Sequence, residues 1–346
     1  MRCRLGYGHV IEPEARTLVG YAPGVVAVSA VVVAFNRCEL LHSALEAITT
    51  QSLPPTSVHV IDNASTDQTS QMVRRDFPDV TLHTLGTNTG GAGGIATGLA
   101  FALADGADLV WLMDDDTVPE PTALAELVSA YERFPKRRPA GVASRVVWTD
   151  GRDHPMNTPR IRPGVTHDEL SDASSVGCLP VRSASFVSFL VEADAVRAVG
   201  LPRAEFFLWN DDFEFSTRLL RDRVGLYCPS SRVEHRTKGF GSTDVDPGER
   251  FYFEVRNKVW TFTRSSGLRP KEKAVYGGST LRRWAKTFAA SDDRSVLLKG
   301  LGRGLVDGLR RGPRDTREVL AGAGVDLPQD LSGAGAPGQR PRGGHA

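Results

Sequence analysis

The feature that most constrains this chain is a regular alternation, over residues 28–148, of short β-branched apolar runs with segments of helical period. Residues 28–35 (VSAVVVAF) have one polar interruption, Ser29, the pattern of a strand buried on both faces. Residues 39–51 then place Leu41, Leu45 and Ile48 at helical spacing. Further strands are predicted at 58–61, 80–85, 108–113 and 141–148, with helices opening at Asp67, Gly91 and Pro119 between them. Proline suits the first turn of a helix, which places that third start at Pro119. Such repetition builds a mostly parallel sheet flanked by helices, an α/β fold. In open α/β sheets ligands bind outside the carboxyl ends of the strands. Three polar clusters follow strand ends: Asp62-Asn63-Ala64-Ser65, the stretch from Asn88 to Gly94, and Asp114-Asp115-Asp116. They are expected to converge on one site.

The chain divides into an extension (1–27), a main domain (28–265), a helical C-terminal region (266–326) and a Gly-, Pro- and Arg-rich tail (327–346) expected to be disordered. Polar residues 150–177 are predicted to form a loop or flap, and glycine-rich residues 238–248 a mobile loop. Strands are predicted within 178–191 and at 224–228, and helices at 192–199, 249–264 and 271–288.

Lysine plus arginine number 42 against 41 acidic residues, a balance that gives no sign of a nucleic-acid partner. Cys3, Cys38, Cys178 and Cys228 form no CxxC pair, so isolated thiols of a cytoplasmic protein are expected, not a disulfide framework or zinc ribbon. The longest apolar run, residues 25–35, is well short of the about 20 residues that cross a bilayer. Charges at Arg2, Arg4, Glu12, Glu14 and Arg16 argue against a signal peptide. No GxSxG, HExxH or GxxxxGK[ST] motif occurs, which removes the common hydrolase, zincin and P-loop readings. Gly91, Gly93 and Ala96 match G-x-G-x-x-A, but that fingerprint belongs after the first strand, where this chain has Asn36-Arg37.

Five features carry candidate chemistry. Asp114-Asp115-Asp116 directly follows an apolar strand, where like charges raise one another's pKa. A divalent cation, Mn²⁺ or Mg²⁺, would relieve that repulsion; the alternative is a solvated acidic turn capping the next helix. Asp62 and Asn63 could hydrogen-bond a nucleobase or ribose, while Ser65 or Asp67 caps a helix. Asn88 and Gly91 belong to a glycine-rich turn that lets backbone approach a ligand and opens a helix toward phosphate. Trp209-Asn210-Asp211-Asp212-Phe213-Glu214 offers a carboxylate as general base, although an acidic first turn also answers the helix dipole. His235 is either a core histidine or a metal ligand.

In their order and spacing these pieces resemble the family-two glycosyltransferases, over about residues 28–265. The Gly90–Gly94 run, the segment Arg250-Phe251-Tyr252-Phe253-Glu254-Val255-Arg256-Asn257 and the Trp209–Glu214 cluster are similar to those of actinobacterial galactofuranosyltransferases of cell-wall glycan synthesis. The cluster departs from their Trp-Asp-Asp-x-Glu pattern by one inserted asparagine, Asn210. The resemblance implies a GT-A fold and an inverting, metal-dependent sugar transfer. The donor would be UDP-galactofuranose and the acceptor a lipid-linked or cell-wall glycan. Alternatives are dTDP-rhamnose as donor, or a non-catalytic nucleotide-sugar-binding component of a glycan assembly complex. By the same resemblance Asp114, Asp116 and His235 hold the metal, and Asp114 and Asp115 lie beside the donor. Asp62 contacts the base, Asp212 is the catalytic base aligned by Asp211 and Glu214, and Trp209 stacks on the acceptor sugar. Arg269, Lys271, Lys273, Arg282, Arg283 and Lys286, with Trp284 and Phe288, suit either an anionic membrane surface at the inner face of the plasma membrane or a solvated helix face.

Overall fold

The structure, a computed structural model, describes residues 26–237, 239–240 and 246–331. The extension through residue 25, most of the 238–248 loop and the tail beyond residue 331 lie outside the described residues.

Strands β1 (Val28–Ala34), β2 (Ser57–Asp62), β3 (Thr81–Thr84) and β4 (Leu109–Asp114) pair in parallel, in the order β3-β2-β1-β4. Helices α1 (Cys38–Thr49), α2 (Thr69–Asp76) and α3 (Gly90–Ala104) connect them. Every residue of β1 is buried, because helices cover both sheet faces. Ala30 and Val32 join one core with Leu41, Leu45 and Trp111, while Val31 and Val33 join a second with Ile95, Leu99 and Leu112. That period-two division explains why the strand reads as an unbroken apolar run.

The next elements are β5 (Thr117–Pro119), α4 (Ala123–Glu132), β6 (Gly141–Val147), β7 (Arg160–Ile161), α5 (His167–Ser175) and β8 (Leu179–Ser183). They are followed by β9 (Ser188–Glu192), α6 (Ala193–Val199), α7 (Asp211–Leu219) and β10 (Gly225–His235). Here the sheet becomes mixed. β9 inserts antiparallel between β4 and β6, β10 runs parallel to β6, and β8 and β5 pair antiparallel with β10.

Three local differences from the sequence reading bear on the site. Pro119 ends β5 and the helix begins at Ala123, since a proline is tolerated at the end of so short an edge strand. Residues 150–177 contain β7 and α5; Thr166 Oγ1 accepts from Glu169 N at 3.2 Å, and Glu169 Oε2 accepts from Thr166 N at 3.0 Å. This reciprocal capping box starts a helix in a polar stretch. Finally, β10 continues past Pro229 to His235 through a bulge between Cys228 and Arg232.

The C-terminal region comprises α8 (Phe251–Thr263), α9 (Pro270–Ala290), α10 (Arg294–Arg310) and α11 (Thr316–Gly322). α10 packs on α8 through Gly304 and Gly308, where an added Cβ would lie 2.8 Å from Val255 and Val259. Leu327 is buried and Leu331 packs on the second core, so residues 327–331, assigned above to the tail, are part of the packed chain. Among the described residues no helix is long and apolar enough to cross a membrane.

Candidate active site

Asp114 is the last residue of β4, and Asp115 and Asp116 lead into β5. Arg37, the His235 ring and two backbone amides meet this acidic run. Phe35 N donates to Asp115 Oδ2 at 3.0 Å. Arg37 Nη1 bridges Asp115 Oδ1 at 3.1 Å and Asp116 Oδ2 at 2.5 Å. The antiparallel pairing of β5 with β10 sets His235 opposite Thr117, and Arg236 N donates to Asp116 O at 2.8 Å. His235 Nε2 consequently lies 3.0 Å from Asp116 Oδ1.

His235 Nδ1 lies 2.9 Å from Asn157 Oδ1, an acceptor, so the ring proton belongs on Nδ1. Nε2 then faces Asp116 Oδ1, a buried oxygen with no other hydrogen-bond partner. One ligand atom each from Asp114, Asp116 and His235 fit within 4.8 Å of one another. A nitrogen and a carboxylate oxygen this close need a proton or a cation between them, and an O,O,N set suits Mn²⁺ or Mg²⁺. Burial and repulsion from Asp116 push Asp114 up to about 6. Burial pushes Asp115 up to about 7 against the pull of Arg37. Burial acts on Asp116 too, but the His235 ring and Arg37 outweigh it and hold that carboxyl below its ordinary range.

A cavity of about 1180 Å³ opens over these residues. Asn63, Asn88, Gly91, Asp115 and Trp209 line it, and α10 contributes Lys299 and Arg303. Asn63 Nδ2 donates to Gly90 O at 2.9 Å, and its Oδ1 accepts from Thr89 N at 2.7 Å. Asn88 Oδ1 accepts from Gly90 N at 2.8 Å. These amides shape the glycine turn. Asp62 differs from expectation: it is fully buried, lies outside the cavity lining, and accepts from Ser65 N at 2.9 Å and from the Ser70 hydroxyl. Its carboxylate holds the turn after β2.

A second cavity, of about 870 Å³, lies on the other side of Trp209. Trp209, Asn210, Asp211 and Asp212 line it, with Arg160 and Lys258. Asp211 and Asp212 open α7, behind a loop in which Phe207, Trp209 and Asn210 all take positive φ. Burial drives Asp211 well above the ordinary carboxylate range, and the adjacent Asp212 adds to it. Asp212 is also raised by burial, offset in part by the Phe213 amide, Lys258 and Arg160. Glu214 is not brought to the site. It is buried, accepts from Arg218 Nε at 2.9 Å and Ser265 Oγ at 2.7 Å, and therefore braces α7 instead of aligning a base.

Several residues of the site had no assigned role in the sequence reading. Arg37, Asn257 and Arg256 sit inside quoted motifs, so their positions were visible but not their partners. Lys258 follows Asn257 directly and turns a second charge inward among aromatic rings, its Nζ 4.4 Å from the Phe213 ring centroid. Asn157, Lys299 and Arg303 carry no local signal, because only the fold brings them to the cavities.

The sequence profile of Glycosyl transferase family 2 matches residues 29–179. The chain is 33% identical over 197 residues to the galactofuranosyltransferase GlfT1 of Mycolicibacterium smegmatis, covering 56% of this chain and 65% of that protein. It is 30% identical over 263 residues to GlfT1 of Mycobacterium tuberculosis H37Rv, covering 70% of this chain and 84% of the relative. The fold is similar to that of Staphylococcus aureus TarS, with TM-score 0.57 at 17% identity, covering 82% of this chain and 49% of TarS. Part of TarS has been solved with UDP and with UDP-GlcNAc. The α/β GT-A fold expected from the sequence is thus the fold found, and the chain belongs to glycosyl transferase family 2.

Proposed function

We propose that the chain is a metal-dependent, inverting glycosyltransferase that moves a galactofuranosyl group from UDP-galactofuranose to a hydroxyl of a lipid-linked or cell-wall glycan. The observation that carries this reading is the pair of cavities meeting at Trp209, one holding Asp114, Asp116 and His235 and the other Asp211 and Asp212. The names of the GlfT1 relatives support the choice of sugar.

In this reading the first cavity takes the donor. Asn63, Asn88 and Gly91 frame the nucleotide, with Asp62 acting through the turn it holds. Asp115 fixes Arg37 across the acidic run. A divalent cation held by Asp114, Asp116 and His235 would supply positive charge to the departing diphosphate. Lys299 and Arg303 add cations from α10. The second cavity takes the acceptor, whose sugar stacks on Trp209. Asp212 withdraws the acceptor hydroxyl proton as that oxygen bonds the anomeric carbon, and the bond from that carbon to the diphosphate breaks on the opposite side, giving inversion. Its neighbour Asp211, at the start of the same helix, aligns Asp212.

The surface of the C-terminal helices fits a lipid-linked acceptor. Val275 and Leu281 on α9 and Leu298, Val306 and Leu309 on α10 are 46–71% exposed. Arg282, Lys286, Arg294 and Arg310 lie on the same two helices. Exposed apolar residues interspersed with cations suit the cytoplasmic face of an anionic membrane.

Calorimetric titration of UDP with and without Mn²⁺, on wild type and Asp116→Ala, tests this reading. Metal-dependent binding by wild type that disappears in the variant is expected, followed by transfer from UDP-galactofuranose. Binding of dTDP in place of UDP would move the donor to dTDP-rhamnose. If neither nucleotide bound with metal, the transferase reading would be abandoned.

A further inference from the structure

Of the five non-glycine residues with positive φ among the described residues, three fall between Phe207 and Asn210: Phe207 at 65°, Trp209 at 66° and Asn210 at 65°. Phe207, with ψ of −66°, lies outside even the left-handed helical region. An L-residue with a Cβ resists these conformations, and a loop keeps them only when its surroundings over-determine it. This loop forms the wall between the two cavities and leads directly into Asp211 and Asp212.

One side chain does most of the holding. Asn257 Nδ2 lies 2.9 Å from Phe206 O, 2.9 Å from Leu208 O and 2.8 Å from Trp209 O. The amide cannot be reversed, because Arg256 Nε donates to Asn257 Oδ1 at 3.1 Å and Arg256 Nη2 does so at 3.0 Å. The same Arg256 Nη2 reaches Glu205 O at 2.6 Å. The consecutive residues Arg256 and Asn257 of α8 thus clamp successive carbonyls of the loop. The opposite side is closed by the glycine turn: Ala92 N donates to Phe207 O at 3.1 Å, and a Cβ on Gly90 would lie 2.0 Å from that oxygen. Asn210 Nδ2 is tied to Glu254 Oε2 at 2.6 Å, so α8 grips the loop at a further point.

We infer that Asn257 is a positioning residue for sugar transfer: its amide N–H groups hold the 206–210 loop in the strained form that sets Trp209 and Asp212 between donor and acceptor. The inference rests on the transferase reading for what the loop positions. The clamp itself is independent of that reading. Satisfying three backbone carbonyls would be a purely structural duty if the loop took the same shape without it. The strained dihedrals argue that it does not.

Asn257→Asp tests this in the full chain. The shape is conserved, the N–H donors are lost, and a carboxylate oxygen faces the carbonyls. We expect kcat to fall about 100-fold, the scale of a misplaced reacting group, while the Kd for UDP with Mn²⁺ stays within about twofold. Chymotrypsin should also cut after Phe207 or Trp209 at sites protected in wild type. Should Asn257→Asp fail to fold, Asn257→Ser, which keeps one donor, carries the same measurements. Turnover within about twofold of wild type in a folded variant would overturn the inference, as would a loss of turnover matched by an equal loss of UDP affinity. If wild type itself transferred no sugar, the function would fall, and unchanged chymotryptic protection in the variant would separately overturn the clamp.

Discussion

The two acidic clusters meet the same difficulty, adjacent carboxylates in a buried place, in opposite ways. At Asp114–Asp116 the chain supplies counter-charge through Arg37, which bridges Asp115 and Asp116, while the His235 ring closes on Asp116 from β10. At Asp211–Asp212 the cations stand back. Lys258 and Arg160 act on Asp212 through the cavity, with no ion pair within 4 Å among the described residues; burial pushes both carboxyls up, as it does Asp114 and Asp115, but here no cation closes on them. Ligand atoms must stay deprotonated and converge, so compensation suits the first cluster. A general base works best with its pKa moved toward neutrality, so incomplete compensation suits the second. The difference lies in secondary structure. A strand end fixed by neighbouring strands can receive partners from both sides, whereas a helix start behind a strained loop presents its carboxylates to a cavity.

The largest expected effect comes from the uncompensated cluster. Asp212→Asn keeps shape and hydrogen bonding but removes the proton acceptor, and turnover should fall about 1000-fold with UDP and Mn²⁺ binding intact. Single-turnover transfer and calorimetry on the same preparation read both quantities. Full transfer by Asp212→Asn would place the base elsewhere and erase the contrast between the clusters.

The sequence carried the placement of both clusters unevenly. The parallel half was readable because β1 and β2 are rich in β-branched residues and β4 is an apolar run, all short, so the polar residues after them had to share one edge. The mixed half was harder. β9 has only three apolar residues, Phe189, Leu190 and Val191, and nothing local says that it inserts between β4 and β6. His235 stayed ambiguous because its role depends on β5 pairing with β10, a contact made by neither segment alone. Asp62 and Glu214 show the limit of reading chemistry from position: each stands beside functional neighbours, but Ser70 and Arg218 take up their oxygens. The capping box of α5 was present as Thr166-His167-Asp168-Glu169, obscured by the polarity of the stretch around it. Arg256-Asn257 was visible as a motif, and its physical reason became legible only with the dihedrals of the loop it clamps.

Removing a cation from each cluster should have opposite signs. Arg37→Met leaves Asp115 and Asp116 facing each other without their shared partner. Breaking such a pair is costly, and the half-exposed Arg37 side chain reduces the loss, so a destabilisation of about 2 kcal/mol by urea unfolding is expected. A neutral result would mean that Asp115 gives up its charge at little cost, and that counter-charge is not what maintains the first cluster.

Lys258→Met should stabilise, by a smaller amount of about 1 kcal/mol. Lys258 is buried, and desolvation pulls its ammonium down to about 8 from an ordinary 10.5. Between those values the unfolded chain holds more protons than the folded one, so folding stability rises with pH across that window. The cost of the buried charge is therefore fully present below about pH 8 and fades by about 10.5. The advantage of the Met variant should be largest at neutral pH and close as the pH climbs through that range. Activity should move the other way. Without Lys258, less opposes the upward push of burial on Asp212, and the acidic limb of kcat/KM should shift to higher pH. A stabilised variant with an unchanged pH profile would show that Lys258 merely fills the cavity wall. A shifted profile would show that the chain retains an unfavourable buried charge because the base beside it needs one.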